Sequence, residues 1–132
     1  MKGAELAKNM GPNTAVIGER PLDHLGGFMY SDQLLRFLHM DLAHESVFYA
    51  DQNGKLNAIY YGPNGIGTAN SELSRLGEYE FGNIQSISKV TDADINLPGF
   101  EKGTYILAIP PIFTHNCHDS TYQFAKRKGM EY

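Results

Sequence analysis

Thr114-His-Asn-Cys-His-Asp-Ser-Thr-Tyr-Gln-Phe-Ala-Lys-Arg-Lys-Gly129 decides how this chain is read. Asn116 offers a side-chain oxygen to the free amides of a first helical turn, and Asp119 adds negative charge there. Lys126, Arg127 and Lys128 stand at the opposite end, just before Gly129. Together they predict a helix over Asn116 to Lys128. Cys117, Thr121, Phe124 and Ala125 recur at helical spacing, so the only cysteine of the chain lies at the N-terminal edge of an inward face. The positive end of the helix dipole favours thiolate there, drawing a free-thiol pKa of about 8.5 toward neutrality. A buried cysteine that acts only as a small apolar side chain fits the same position.

Working outward, Thr104 to Ile109 predicts a strand stopped by Pro110-Pro111, because proline lacks a ladder donor and restrains its predecessor. Ile84, Ile87 and Val90 suggest another strand. Ser46 to Tyr49 and Leu56 to Tyr61 flank Asn53-Gly54, the clearest hairpin in the chain. Gly62 to Gly67 reads as a loop without the lysine or glycine spacing of a phosphate cradle, followed by a short helix capped by Asn70 or Ser71 and running to Leu76. Ser31 and Asp32 precede Leu34, Leu35, Phe37, Leu38 and Met40, a pattern for an amphipathic helix over Ser31 to Leu42. Residues 1–27 read as a mostly extended, glycine-rich lead-in to a catalytic core over 28–132. The expected fold is one α+β domain: a small antiparallel sheet carrying the hairpin and the Thr104 to Ile109 strand, with the cysteine-bearing helix packed across it.

The 132 residues and the 42% hydrophobic content suit one self-sufficient core. A net charge of −4 and pI near 5.7 give no footprint for nucleic acid, and no apolar run reaches the ~20 residues that cross a bilayer. Met1 to Met10 lacks the apolar core of a secretory signal, so a soluble chain is expected. A single cysteine forms no internal disulfide.

Among the histidines, His44 opens the first strand of the hairpin and ranks first as a partner for Cys117. His39 falls within the predicted helix and His24 in the lead-in. His115 and His118 flank the cysteine but point away from it at a helix start. The run His44-Glu-Ser-Val-Phe-Tyr, a glycine turn and strand, and then Asn116-Cys117 with downstream Phe124, resembles the circularly permuted papain-like hydrolases, whose histidine strand precedes the cysteine helix. That family includes cell-wall amidases and peptidases, lecithin:retinol acyltransferase-like enzymes, and desumoylating or deubiquitinating peptidases. The resemblance implies a papain-like fold and a cysteine peptidase or amidase. Cys117 would attack an acyl carbon, His44 would carry the proton, and the Cys117 main-chain N–H would serve the oxyanion. Asn57 and Asn64 are both candidates for a third polar residue orienting the histidine. No cofactor or metal is implied. The glycine-rich lead-in also resembles the toxin modules of bacterial polymorphic effectors. That implies delivery into the cytoplasm of a rival cell, a protein or peptide substrate there, and a dedicated inhibitor (immunity) protein as partner.

Two other classes are compatible with the residues. His115, Cys117, His118 and His44 could surround zinc in a nuclease or hydrolase, although their close spacing differs from the usual paired ligands. Tyr49, Tyr60, Tyr61 and Tyr79 could instead form the surface of a non-catalytic interaction module, although aromatics on strands more often pack in a sheet.

Overall fold

The computed structural model describes residues 3–20, 44–68, 70–109 and 113–132. At its centre is a six-stranded antiparallel sheet: β1 (Thr14–Arg20), β2 (His44–Ala50), β3 (Leu56–Gly62), β4 (Gly65–Thr68), β5 (Glu80–Phe81) and β6 (Gln85–Ser86). Its order is β4-β3-β2-β1-β5, with β6 also on β1. The helices are α1 (Gly3–Asn9), α2 (Asn70–Leu73), α3 (Asp92–Ile95) and α4 (Cys117–Lys128), with a 3-10 turn at Leu76–Glu78.

The β2–β3 hairpin forms as its turn chemistry demands. The Asp51 carboxylate accepts from the amides of Asn53 and Lys55 at 2.8 and 2.9 Å, and Gly54 adopts a positive φ of 79°. Register places Val47 opposite Ile59 and Tyr49 opposite Asn57. Alternation then divides the sheet into two faces. Val16, Phe48, Ala50 and Ala58 pack with Leu6 and Met10 on one side. Ala15, Val47, Tyr49 and Ile59 meet Phe124, Ala125 and Met130 of the C-terminal segment on the other. Phe124 is 1% exposed, and full burial of such a side chain contributes about 2–3 kcal/mol.

Helix α4 starts and stops as its sequence predicts. Asn116 Oδ1 accepts from the His118 amide at 3.0 Å, and Asp119 Oδ2 accepts from the Asn116 amide at 3.0 Å. Gly129 takes the left-handed conformation, and the Met130 amide reaches back to Ala125 O at 2.9 Å. Cys117, Ser120, Thr121, Phe124 and Ala125 form the buried face. The basic end is anchored: Lys128 Nζ lies 2.7 Å from Asp94 Oδ2 and Arg127 Nη2 lies 3.0 Å from Asp94 Oδ1, tying α4 to α3. These cations and the Thr91 amide outweigh the burial that opposes ionisation, and hold the Asp94 carboxyl far below its usual range.

Several elements differ from the reading of the sequence. The segment expected as an extended lead-in contributes α1 and β1, and β1 is an interior strand in which Ala15 and Val16 are fully buried. Burial on both faces removes the polar alternation that marks a strand in sequence. The strand expected over Thr104 to Ile109 begins at Ile106 as β7 (Ile106–Ile109). It pairs not with the main sheet but with β8 (Phe113–His115), its continuation beyond the proline pair. Thr104 belongs to a turn, its amide and hydroxyl both bonded to Glu101 O. Between Ile84 and Val90 only Gln85–Ser86 pairs as strand, and the short helix after Asn70 ends at Leu73. The expected helix over Ser31 to Leu42, with His24 and His39, lies outside the described residues.

Candidate functional site

His44 and Glu45 open β2, and strand alternation sends their side chains to opposite faces. His44, 3% exposed, joins a buried polar network. Its Nε2 lies 2.9 Å from Ser46 Oγ, which lies 3.0 Å from the Tyr79 hydroxyl; Tyr79 donates to Glu72. Arg20, opposite His44 on β1, grips Glu72 with Nε and Nη2 at 3.2 and 3.0 Å. Glu72 Oε1 stands 3.9 Å from the imidazole, and the ring of Tyr60 is tilted against it at 5.2 Å. Burial, reinforced by the Arg20 charge, pushes the His44 pKa down to about 4. Burial alone would raise the Glu72 carboxyl, but the Arg20 guanidinium and Tyr79 hydroxyl outweigh it and hold the group ionised.

Cys117 is 2% exposed at the first turn of α4, and its Sγ accepts from the Glu45 amide at 3.4 Å. The thiol therefore meets the main chain at the residue following His44. Among the described residues, no hydrogen bond joins imidazole to thiol. Burial pushes the Cys117 thiol up to about 12; amides of Glu45, Cys117 and His118 pull it down only in part. At this site desolvation outweighs the helix dipole. Both groups are neutral near neutral pH, so the expectation of a thiolate stabilised by direct contact with His44 is not what this geometry provides.

The Glu45 carboxylate acts on Cys117 and raises the thiol further, and Glu45 is clustered with Glu19 and His118. Glu45 Oε1 pairs with His118 Nδ1 at 3.1 Å, and its Oε2 accepts from the Tyr132 hydroxyl at 2.8 Å. Glu19 stands directly opposite on β1. Ligand atoms of Glu19, Glu45 and His118 lie within 4.8 Å of one another, a set able to hold a cation. Among the described residues it includes neither Cys117 nor His44 of the cluster considered for zinc; His115 lies at the end of β8.

Neither candidate orienting residue stands with His44. Asn57 pairs across from Tyr49 at the far end of β2 and donates to Lys55 O, and Asn64 is exposed in the β3–β4 turn. The groups around the imidazole are Ser46, Tyr79, Glu72 and Arg20, which the sequence did not single out. Their one visible signal is polarity at strand positions that alternation turns inward, as at Arg20, His44 and Ser46. Tyr49, Tyr61 and Tyr79 are buried, which makes them core aromatics rather than a recognition surface. No helix among the described residues is long and apolar enough to cross a membrane. No family model, curated protein or solved structure matches the chain.

Proposed function

We propose that the chain is a thiol hydrolase of the permuted papain-like kind that cleaves a peptide or isopeptide amide. Cys117 is its nucleophile and His44 its base. The observation that carries this reading is the hydrogen bond from the Glu45 amide to Cys117 Sγ, which brings the lone cysteine of a capped helix to the strand start that bears His44. The neutral resting pair favours proton transfer during attack over a preformed thiolate–imidazolium pair. On that route the imidazole leaves Ser46 for the sulfur. The S–C bond forms as His44 takes the thiol proton, the C–N bond breaks as the amine takes that proton, and water then hydrolyses the thioester. Amides at the start of α4 serve the oxyanion. Ser46 and Glu72 replace Asn57 and Asn64 as the groups that orient His44.

By the same resemblance, the setting is a toxin module acting on a protein or peptide in the cytoplasm of a rival cell, and held in check by an inhibitor protein. The test is a screen of proteins and peptidoglycan fragments against wild type, Cys117→Ala and Cys117→Ser, read by mass spectrometry for new termini and an acylated cysteine. Both variants should keep the fold and lose nearly all turnover. Turnover that survives loss of the thiol overturns the proposal. The convergence of Glu19, Glu45 and His118 favours one second reading, a cation-dependent hydrolase. Activity abolished by a chelator but retained in Cys117→Ala selects it.

A further inference from the structure

Glu72, Tyr79, Ser46 and His44 are linked in series by hydrogen bonds, and each hydroxyl in the series has a single proton to give. Counting those protons orders the chain. Glu72, gripped by Arg20 through Nε and Nη2, is held ionised and has none. Tyr79 therefore donates to it, spending the proton of a phenol that burial and the same carboxylate keep un-ionised. At the 3.0 Å contact with Ser46 the phenol oxygen can then only accept, so the serine donates. That spends the serine proton. At the 2.9 Å contact with His44 the Ser46 oxygen accepts, and the donor is Nε2. Glu72 Oε1, 3.9 Å from the same nitrogen, favours the same order, because a lone pair on Nε2 would face a negative charge. The phenol is firmly seated. Phe48 meets its ring edge-on at 4.9 Å and Phe81 stacks on it at 5.7 Å. Gly18 of β1 leaves the room: a Cβ there would stand 2.8 Å from Tyr79 Cδ1 and 2.9 Å from Phe81 Cε1.

We infer that Tyr79 is a positioning residue that, through Ser46, fixes His44 in the Nε2–H tautomer and leaves the ring's lone pair on Nδ1. The tautomer rests on this geometry alone; only its catalytic use rests on the thiol hydrolase reading. On that reading, the imidazole that turns to Cys117 takes the thiol proton on Nδ1 as the S–C bond forms. It returns the proton from Nδ1 to the amine as the C–N bond breaks. The opposite tautomer would need Ser46 to donate to Nε2, which sets the Ser46 and Tyr79 oxygens lone pair against lone pair. Losing one buried hydrogen bond in this way amounts to a tautomer preference of about tenfold or more.

The experiment uses the full chain with isotope-labelled histidine, read at pH 7, where the His44 imidazole is neutral, by long-range proton–nitrogen NMR correlation. His44→Gln identifies the His44 signals by their loss. In wild type Nε2, which couples to both carbon-bound ring protons, should show the shift of a protonated nitrogen, and Nδ1 that of an unprotonated one. Tyr79→Phe keeps the ring but frees Ser46 to donate to Nε2, so the preference for Nε2–H should fall on the order of tenfold, to a mixture. Tyr60→Phe, which alters the ring packed on His44 but not this chain, should leave the tautomer unchanged. Once Ser46→Ala has cut the link, adding Tyr79→Phe should change nothing further. An Nδ1–H tautomer in wild type, an unchanged tautomer in folded Tyr79→Phe, or an equal change in Tyr60→Phe overturns the inference. The wild-type spectrum decides even where Tyr79→Phe does not fold. If the Nε2–H form is found but no amide is ever cleaved, the hydrolase reading fails and the tautomer assignment stands.

Discussion

Acidification should unfold this protein partly through one side chain, His44. Its native pKa is pushed down to about 4, against 6.5 for an unperturbed imidazole. Between those values the unfolded chain binds a proton that the native state refuses. Stability is therefore fully present above pH 6.5 and is lost as pH falls toward 4. The difference of about 2.5 units amounts to about 3 kcal/mol, a large share of a small domain's stability. Carboxylates such as Glu72, held ionised in the fold, add to the acid loss, so the histidine must be isolated by difference. His44→Gln supplies it: glutamine can still reach Ser46 Oγ but does not titrate. Urea unfolding followed by circular dichroism at pH 7, 5.5 and 4 should find the variant about 1 kcal/mol less stable at pH 7, from altered packing beside Tyr60. Its additional loss between pH 6.5 and 4 should be smaller than that of wild type by about 3 kcal/mol. Parallel stability curves for the two proteins, or an NMR titration of His44 near 6.5, would refute the reasoning, because either means that burial and Arg20 do not act on the imidazole as the geometry requires.

Cys117 should resist alkylation. With the thiol pushed up to about 12, thiolate at pH 7 falls from ~3% for a free cysteine to about one part in 10⁵, so iodoacetamide should react on the order of a thousandfold slower until urea exposes the residue. Because burial raises this acid, its contribution to stability is present below pH 8.5 and declines as pH rises above it; rapid labelling of the folded protein at pH 7 would contradict both statements. Asp94→Asn should cost about 1–2 kcal/mol by leaving the Lys128 ammonium with only the Ser88 hydroxyl and the Lys89 carbonyl, and thermal unfolding should report it; a melting temperature within error of wild type would mean that α3 does not anchor the end of α4.

Helix α4 was legible because its information is local. Asn116 and Asp119 cap its start, Gly129 ends it, and the Phe124 and Ala125 spacing declares the inward face. The β2–β3 hairpin was legible for the same reason, since Asp51, Asn53 and Gly54 make the turn from their own side chains and backbone. Strand β1 was missed, because a run buried on both faces has no polar alternation to betray it. The pairing of β7 with β8 was missed because residues 104–109 carry equal strand propensity whichever neighbour they join. For the candidate site, the sequence pointed to Cys117 and His44 but to neither environment. Arg20, Glu72 and Tyr79 come to His44 from three separate parts of the chain.

By itself, the sequence determined an α+β domain with a capped C-terminal helix, a lone cysteine in its first turn and a histidine at the head of a strand. Those features follow from hydrogen bonds and side-chain spacing within a few residues. The tertiary structure alone decided the electrical state of these groups. Alternation along β2 turns His44 toward Ser46 and Glu72, while Cys117 docks under the Glu45 amide, so in the resting structure each residue has its own buried hydrogen-bond partner. Desolvation depends on what closes over a group from elsewhere in the chain, which is why a helix dipole readable in sequence was outweighed by burial that was not.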